Sequence, residues 1–138
     1  MACSACGSGA TIALSLSAEY RDHAPSNAAV IDVCTQCLTV DPIEGTPDSV
    51  IEPDDEPDFS RISDALPTRS ERAIPLLLAI DLSSSLATNR SAIESLLEDV
   101  ERAGTDPLLA IDRLIADPTL EPAVDLERRR HQLEQLLY

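Results

Sequence analysis

Four cysteines in two closely spaced pairs are the residues of this chain best suited to a defined chemistry. Cys3 and Cys6 form one Cys-x-x-Cys pair, Cys34 and Cys37 form the other, and the sequence contains no further cysteine. Four thiolates can complete a tetrahedral Zn²⁺ shell and leave no position for water, which is typical of a structural site rather than a catalytic one. The spacing therefore predicts that these four cysteines bind one structural zinc ion.

Paired cysteines have other uses, and one of them stays open. No charged and apolar leader precedes Cys3, so we expect the chain in a reducing cytoplasm, where disulfides are rare. Both pairs adjoin short strand-like runs rather than a strand-to-helix turn, which argues against a thioredoxin-like redox site. A rubredoxin-type iron site uses the same four thiolates, and the spacing does not distinguish it from zinc.

The residues between the two pairs predict a small antiparallel sheet. Residues 10–17 alternate apolar and polar side chains, residues 28–33 form a second apolar run that leads into Cys34, and residues 38–40 could add a third short strand. Because so few apolar residues cannot form a large core, we expect metal binding to supply much of the folding free energy here. The prediction for residues 1–41 is a zinc ribbon.

The sequences CSACGSG and VCTQCLTV resemble the knuckles of the zinc-ribbon superfamily, and the whole chain resembles small zinc-ribbon proteins of haloarchaea. The resemblance covers residues 1–40 and implies the four cysteines as zinc ligands. It also implies partners, because ribbons of this kind are common in the transcription and translation apparatus. One difference is that Ser4 and Ala5 stand where such knuckles often carry proline, which leaves the turn less constrained.

The chain is strongly acidic. Its ten Lys+Arg residues are all arginines, against 25 Asp and Glu, which gives a formal net charge of −15. Carboxylate excess keeps a protein soluble in concentrated salt, where the Debye length falls to about 3 Å at 1 M. The composition therefore supports the resemblance to halophilic proteins. An acidic surface that binds a basic partner is the alternative interpretation.

The second half of the chain predicts helices that follow a linker. Residues 42–59 are rich in carboxylates and prolines and contain no basic residue, which predicts an extended acidic linker. Residues 60–138 predict an all-α domain of about four helices, and the expected fold class is therefore α+β. The helices are expected from Pro75 to Ala87 with an alternative start at Thr68, from Ser91 to Gly104, from Asp106 to Asp117 and from Pro122 to Leu137.

Little in the sequence suggests catalysis. The run Ser83-Ser84-Ser85 lacks the Gly-x-Ser-x-Gly context of a hydrolase nucleophile, and neither His23 nor His131 has a nucleophile at a catalytic spacing. No apolar run has the length of a membrane-spanning helix. We therefore expect a non-enzymatic zinc-binding adaptor that contacts a protein partner in a halophilic cytosol.

Nucleic-acid binding by the ribbon is the second hypothesis. Residues 1–40 offer only Arg21 and His23 as phosphate contacts, whereas single-strand binders combine a basic groove with several stacking aromatic residues. Residues 128–130 form a basic cluster, but Arg130 and Glu134 have the spacing of an intrahelical ion pair, as do Asp125 and Arg129. A protein partner is therefore preferred, and the sequence leaves its identity and the oligomeric state open.

Overall fold

Alternating apolar and polar side chains place the N-terminal segments in one antiparallel sheet. The computed structural model describes residues 11–24, 27–42, 59–122 and 125–137. Within them, three strands lie in the order β1-β2-β3, and they are β1 (Thr11–Ser15), β2 (Val30–Cys34) and β3 (Val40–Pro42). The predicted antiparallel sheet is confirmed, although β3 begins at Val40 rather than at Leu38.

The register of the sheet places aliphatic side chains of adjacent strands side by side. Leu14 pairs with Ile31 and Ile12 pairs with Val33, which in turn pairs with Val40 of β3. All five side chains are buried. Apolar burial is the main favourable term in folding. Packing of this face therefore holds the three strands in place, including the end of β2. A short helix, α1 (Ala18–Arg21), follows β1.

The C-terminal part of the chain is helical, as the sequence predicts. A 3-10 turn at Phe59–Arg61 precedes α2, and a second 3-10 turn at Ser83–Ser85 joins α2 to α3. The four helices are α2 (Ser70–Leu82), α3 (Leu86–Arg102), α4 (Pro107–Ile115) and α5 (Leu126–Leu137). The α+β fold class is thus confirmed for the part of the chain that the structure describes.

The starts of two helices differ from those expected. Helix α2 starts at Ser70, between the two expected starts at Thr68 and Pro75, so that Pro75 lies inside it and removes one backbone donor. Helix α3 starts at Leu86 rather than at Ser91 and is interrupted at Asn89, whose φ of −107° and ψ of 15° are not helical. The Asn89 side-chain amide donates to the Leu82 carbonyl at 3.2 Å. Because the helix is interrupted at Asn89, the apolar pattern of the sequence marks only the part of α3 that follows this residue.

The signals within α3 and at its end are confirmed. The residues expected to form its buried face are fully buried, and they are Ile93, Leu96, Leu97 and Val100. Gly104 follows the helix with a φ of 100°, a conformation that glycine adopts without the steric cost of a Cβ. Asp106 then caps α4, because its Oδ1 accepts hydrogen bonds from Leu108 N at 3.0 Å and Leu109 N at 3.3 Å.

The sheet and the helices share one hydrophobic core. Side chains of β1, β2 and β3 and of helices α2 to α5 belong to a single buried cluster. Tyr20 of α1 packs against that cluster, and burial together with the nearby Asp99 carboxylate of α3 raises its pKa to about 12. The sheet is therefore held against the helical layer by direct packing.

The expected segment boundaries depend largely on residues that are not described. Of the predicted linker 42–59, residues 43–58 lie outside the described ranges. The division into a ribbon at 1–41, this linker and a helical domain at 60–138 stays a prediction. In the described part of the chain, no helix has the length and apolar character needed to cross a membrane.

Candidate metal centre

The second cysteine pair lies at the end of the central strand. Cys34 is the last residue of β2, and Cys37 follows after a tight turn. The two side chains are 1% and 3% exposed and pack against each other in a small cluster separate from the main core. The structure thus brings Cys34 and Cys37 together, whereas Cys3 and Cys6 lie outside the described residues, and the four-cysteine site stays a prediction.

The turn between these cysteines directs backbone donors at sulfur. The N–H groups of Gln36 and Cys37 each donate to Cys34 Sγ across 3.4 Å. A thiol sulfur is a weak acceptor, but a thiolate is a charged one, and hydrogen bonds to charged acceptors are the stronger kind. The turn is therefore suited to a sulfur atom that carries negative charge, as a metal-bound thiolate does.

A left-handed residue closes the turn. Leu38 has a φ of 65°, and its N–H donates to the Cys34 carbonyl at 3.2 Å. Cys34 N in turn donates to the Thr39 carbonyl at 3.0 Å. A positive φ is costly for a branched side chain, yet the Leu38 side chain is only 3% exposed. Burial of this side chain offsets the backbone strain that the turn requires.

Thr39 adds a polar neighbour that the sequence analysis missed. Its hydroxyl oxygen lies 3.0 Å from Cys37 Sγ, so each cysteine of the pair has a polar contact. Groups that contact a ligand in this way orient it and tune its basicity. The only sequence signal for this role is a hydroxyl residue two positions after the second cysteine.

The turn is also anchored to the loop that joins α4 and α5. Glu121 N donates to the Gln36 carbonyl at 2.8 Å, and Gln36 Nε2 lies 3.5 Å from Glu121 Oε2. The sequence analysis missed this contact too. No local pattern could reveal it, because the two residues are far apart in the chain.

Asp117 organises the same loop. Its Oδ2 accepts from the Ser63 hydroxyl at 2.5 Å, and its Oδ1 accepts from Thr119 N at 2.9 Å and from the Thr119 hydroxyl at 2.6 Å. The Ser63 bond, and then those from Thr119, lower the pKa of Asp117 below its ordinary value. Loop 117–121 is therefore well placed to support the cysteine turn.

The donor set of the described turn fits half of a tetrahedral thiolate site. Within residues 11–24, 27–42, 59–122 and 125–137, no group of three or more His, Cys, Asp or Glu residues could hold a metal ion. The described part thus offers two thiols, and the remaining cysteines of the sequence are Cys3 and Cys6. Two buried thiols with backbone N–H donors suit a soft-ligand metal such as zinc or iron.

The chain matches a known protein family. Residues 2–137 match a family of unknown function (DUF6276), and the chain belongs to that family. The match includes both cysteine pairs, the three strands and helices α1 to α5, so the family is defined over the sheet and the helical region together. Comparisons with curated proteins and with solved structures give no significant match.

Proposed function

We propose that this member of the DUF6276 family is a non-enzymatic zinc-binding protein with a zinc-ribbon N-terminal segment. One structural Zn²⁺ is held by Cys3, Cys6, Cys34 and Cys37. The observation that carries the proposal is the pair of N–H donors, from Gln36 and Cys37, that converge on the buried sulfur of Cys34. A closed shell of four thiolates leaves no position for substrate, which is why we propose a structural role.

The metal would supply a cross-link between the start of the chain and the end of β2. The protein's own residues prepare one side of that cross-link. Leu38 closes the turn, Thr39 contacts the second sulfur, and Glu121 fixes the turn against the helical layer. Metal binding to such a site contributes folding free energy, because the site does not exist in the unfolded chain.

We further propose that the protein is an adaptor that contacts a protein partner in a halophilic cytosol. The arginine contacts of α5 support a protein over a nucleic acid. Arg130 Nε lies 2.9 Å from Asp112 Oδ1 and its Nη1 lies 2.6 Å from Glu134 Oε2, while Arg129 Nη1 donates to Gln132 at 2.9 Å. The predicted Arg130 to Glu134 pair is confirmed. Asp125 does not form the expected ion pair with Arg129 but accepts a hydrogen bond from Arg128 N as a helix cap. The side chains of Arg129 and Arg130 are thus engaged within the protein.

Metal analysis tests the zinc assignment. Protein purified anaerobically should contain one zinc per chain by elemental analysis, and Cys34→Ser or Cys37→Ser should each abolish stoichiometric zinc. The matched control is Thr35→Ser, which changes the same turn without removing a sulfur and should retain the metal. Protein without metal, or with stoichiometric iron and a rubredoxin-like visible spectrum, would contradict the proposal.

Binding in concentrated salt tests the adaptor role. Nucleic-acid affinity falls with a log-log salt slope of about −0.9 per neutralised phosphate on duplex DNA, whereas apolar contacts persist because salt screens only charge. We expect a specific protein partner to remain bound at molar KCl and no nucleic acid to copurify. Copurified nucleic acid that is lost on replacing Arg128, Arg129 and Arg130 by alanine would favour the nucleic-acid hypothesis.

A further inference from the structure

A cavity lies between the loop 64–68, the start of α2 and helix α4, away from the cysteine turn in the chain. Its volume is about 380 Å³, and its walls are the loop 64–68, the first turn of α2, the turn 104–106 and one side of α4. Small-molecule sites start at about this size and combine apolar walls with a few polar groups. Two arginines, Arg72 and Arg113, line this cavity.

Arg72 has a buried donor that the protein itself does not satisfy. Its Nε is inaccessible to solvent and has no hydrogen-bond partner among the described residues, which is also true of Arg129 Nε and Arg130 Nε outside the cavity. Such an atom calls for a specific explanation, because buried donors in native proteins are nearly always paired. The guanidinium also lies close to Gly104, where a Cβ would approach Arg72 Nη2 to 3.4 Å. The turn at Gly104 therefore lies in contact distance of the guanidinium at the cavity wall.

Arg113 is the second cation of the cavity, and it forms no ion pair within the described ranges. Within the described ranges only three of the ten arginines, Arg90, Arg102 and Arg130, form an ion pair with a carboxylate, and Arg72 and Arg113 are among the seven that do not. The N–H donors of Arg72 and Arg113 are therefore not engaged by a described carboxylate, and two guanidinium groups beside one cavity can donate to an oxyanion.

The remaining lining defines the size and charge of the ligand. Asp64 and Asp106 also line the cavity, so the formal charges of its walls cancel and favour a ligand of low charge. Asp106 is engaged in capping α4 through Oδ1. Leu109 is 47% exposed, the only large apolar side chain so exposed in the described part of the chain, and it borders the same cavity. The lining thus offers two guanidinium groups and an apolar contact.

We propose that this cavity binds a small oxyanion-bearing molecule. Its carboxylate or phosphate group is held by Arg72 and Arg113, and its apolar part contacts Leu109. The planar guanidinium group donates two parallel N–H bonds to an oxyanion, which gives both strength and orientation. The site shares no residue with the proposed metal centre, because none of its lining residues is a cysteine or a neighbour of the cysteine turn.

An NMR titration at constant ionic strength tests the proposal. Butyrate, acetate or inorganic phosphate replaces chloride step by step, and the amide shifts of Arg72, Gly104 and Arg113 are followed. We expect saturable shifts, with Arg72→Gln and Arg113→Gln each weakening the affinity roughly tenfold or more, as expected for a lost hydrogen bond to a charged group. Tighter binding of butyrate than of acetate would assign a carboxylate with an apolar part, and binding of phosphate alone would assign a phosphate group.

Matched controls separate a built site from general attraction to cations. Arg69→Gln removes the same charge immediately before α2 but outside the cavity, and it should leave the affinity unchanged. Butyramide, the neutral counterpart of butyrate, should not bind. If Arg72→Gln does not fold, Arg72→Lys keeps the charge without the planar fork and should still weaken binding. Absence of saturable shifts, equal effects of Arg69→Gln and Arg72→Gln, or binding of butyramide as tight as butyrate would overturn the proposal.

Discussion

The backbone N–H of Glu121 donates to the carbonyl oxygen of Gln36 across 2.8 Å, and this bond joins the cysteine turn to the loop between α4 and α5. Gln36 lies between Cys34 and Cys37, so the hydrogen bond is made by the turn itself rather than by a neighbouring strand. The conformation of the proposed metal centre and the position of the helical loop are therefore connected by one backbone hydrogen bond.

The first prediction concerns the Glu121 amide. Chelation of the metal should loosen the cysteine turn, which carries the carbonyl that accepts this bond. Hydrogen exchange at the Glu121 amide should then accelerate about fivefold to tenfold, which corresponds to the free energy of one hydrogen bond. NMR-detected exchange with and without chelator measures this effect. The Ala110 amide, bonded within the α4 cap to Asp106, serves as an internal control and should change less. Equal acceleration at both amides would indicate general unfolding instead.

The second prediction concerns the backbone strain at Leu38. Both Leu38→Ala and Leu38→Gly lose the buried side chain, at a cost of about 2 to 5 kcal/mol for a leucine truncated to alanine. Only glycine adopts the positive φ of this position without steric strain, which costs other residues about 1 to 2 kcal/mol. We therefore expect the glycine variant to be more stable than the alanine variant by about 1 kcal/mol, measured as the free energy of unfolding in urea.

Leu14 is the matched control for that comparison. It is fully buried like Leu38 but lies in the extended strand β1. At Leu14 alanine should be more stable than glycine, because glycine loses more conformational entropy on folding into a strand. The same order of stability at both positions would show that the φ of Leu38 carries no energetic cost.

The third prediction concerns Asp81, which faces β3 from α2. Burial, followed by the charge of Asp41, raises the pKa of Asp81 from 3.8 to about 6, although a hydrogen bond from the Val40 backbone lowers it. Between these two pH values the folded state binds more protons than the unfolded state, so the stability from this group falls as the pH rises. Since Asp81 is only partly buried, we expect a loss of roughly 1 kcal/mol.

Replacing Asp81 by asparagine should remove this loss. The free energy of unfolding of Asp81→Asn should exceed that of the parent protein at pH 7 and approach it near pH 4. Asp22→Asn removes one charge at an exposed position and controls for the general relief of a net charge of −15. A pH dependence of Asp81→Asn identical to that of the parent would show that Asp81 titrates normally.

The fourth prediction concerns the coupling of the sheet to the helices. Leu76 is fully buried in α2 and belongs to the same core as the strands. Leu76→Ala should destabilise the protein by about 2 to 5 kcal/mol and lower the protection of amides in β2 as well as in α3. Unchanged protection in β2, together with a loss in α3, would instead fit a ribbon and a helical domain that unfold separately.

Local signals in the sequence predicted a large part of this fold. The spacing from Ile93 to Val100, the Asp106 cap and Gly104 each act within a few residues, and each has the predicted role. The cysteine turn was predicted for the same reason. The early start of α3 was missed because Asn89 interrupts the helical pattern. Two supports of the cysteine turn were missed. The contact of Thr39 depends on the direction of its side chain, for which its position near Cys37 is only a weak signal, and the contact of Glu121 joins segments far apart in the sequence.

Loop 117–121 contacts both regions of the protein that we propose to be functional. On one side Asp117 accepts from Ser63, the residue that precedes the cavity loop 64–68, and on the other side Glu121 donates to the cysteine turn. Any interaction free energy transmitted through this loop must be reciprocal. If occupancy of the cavity changes the affinity for zinc by some factor, zinc must change the affinity of the cavity for its ligand by the same factor. A zinc ion with a structural role would then also be an allosteric effector of ligand binding.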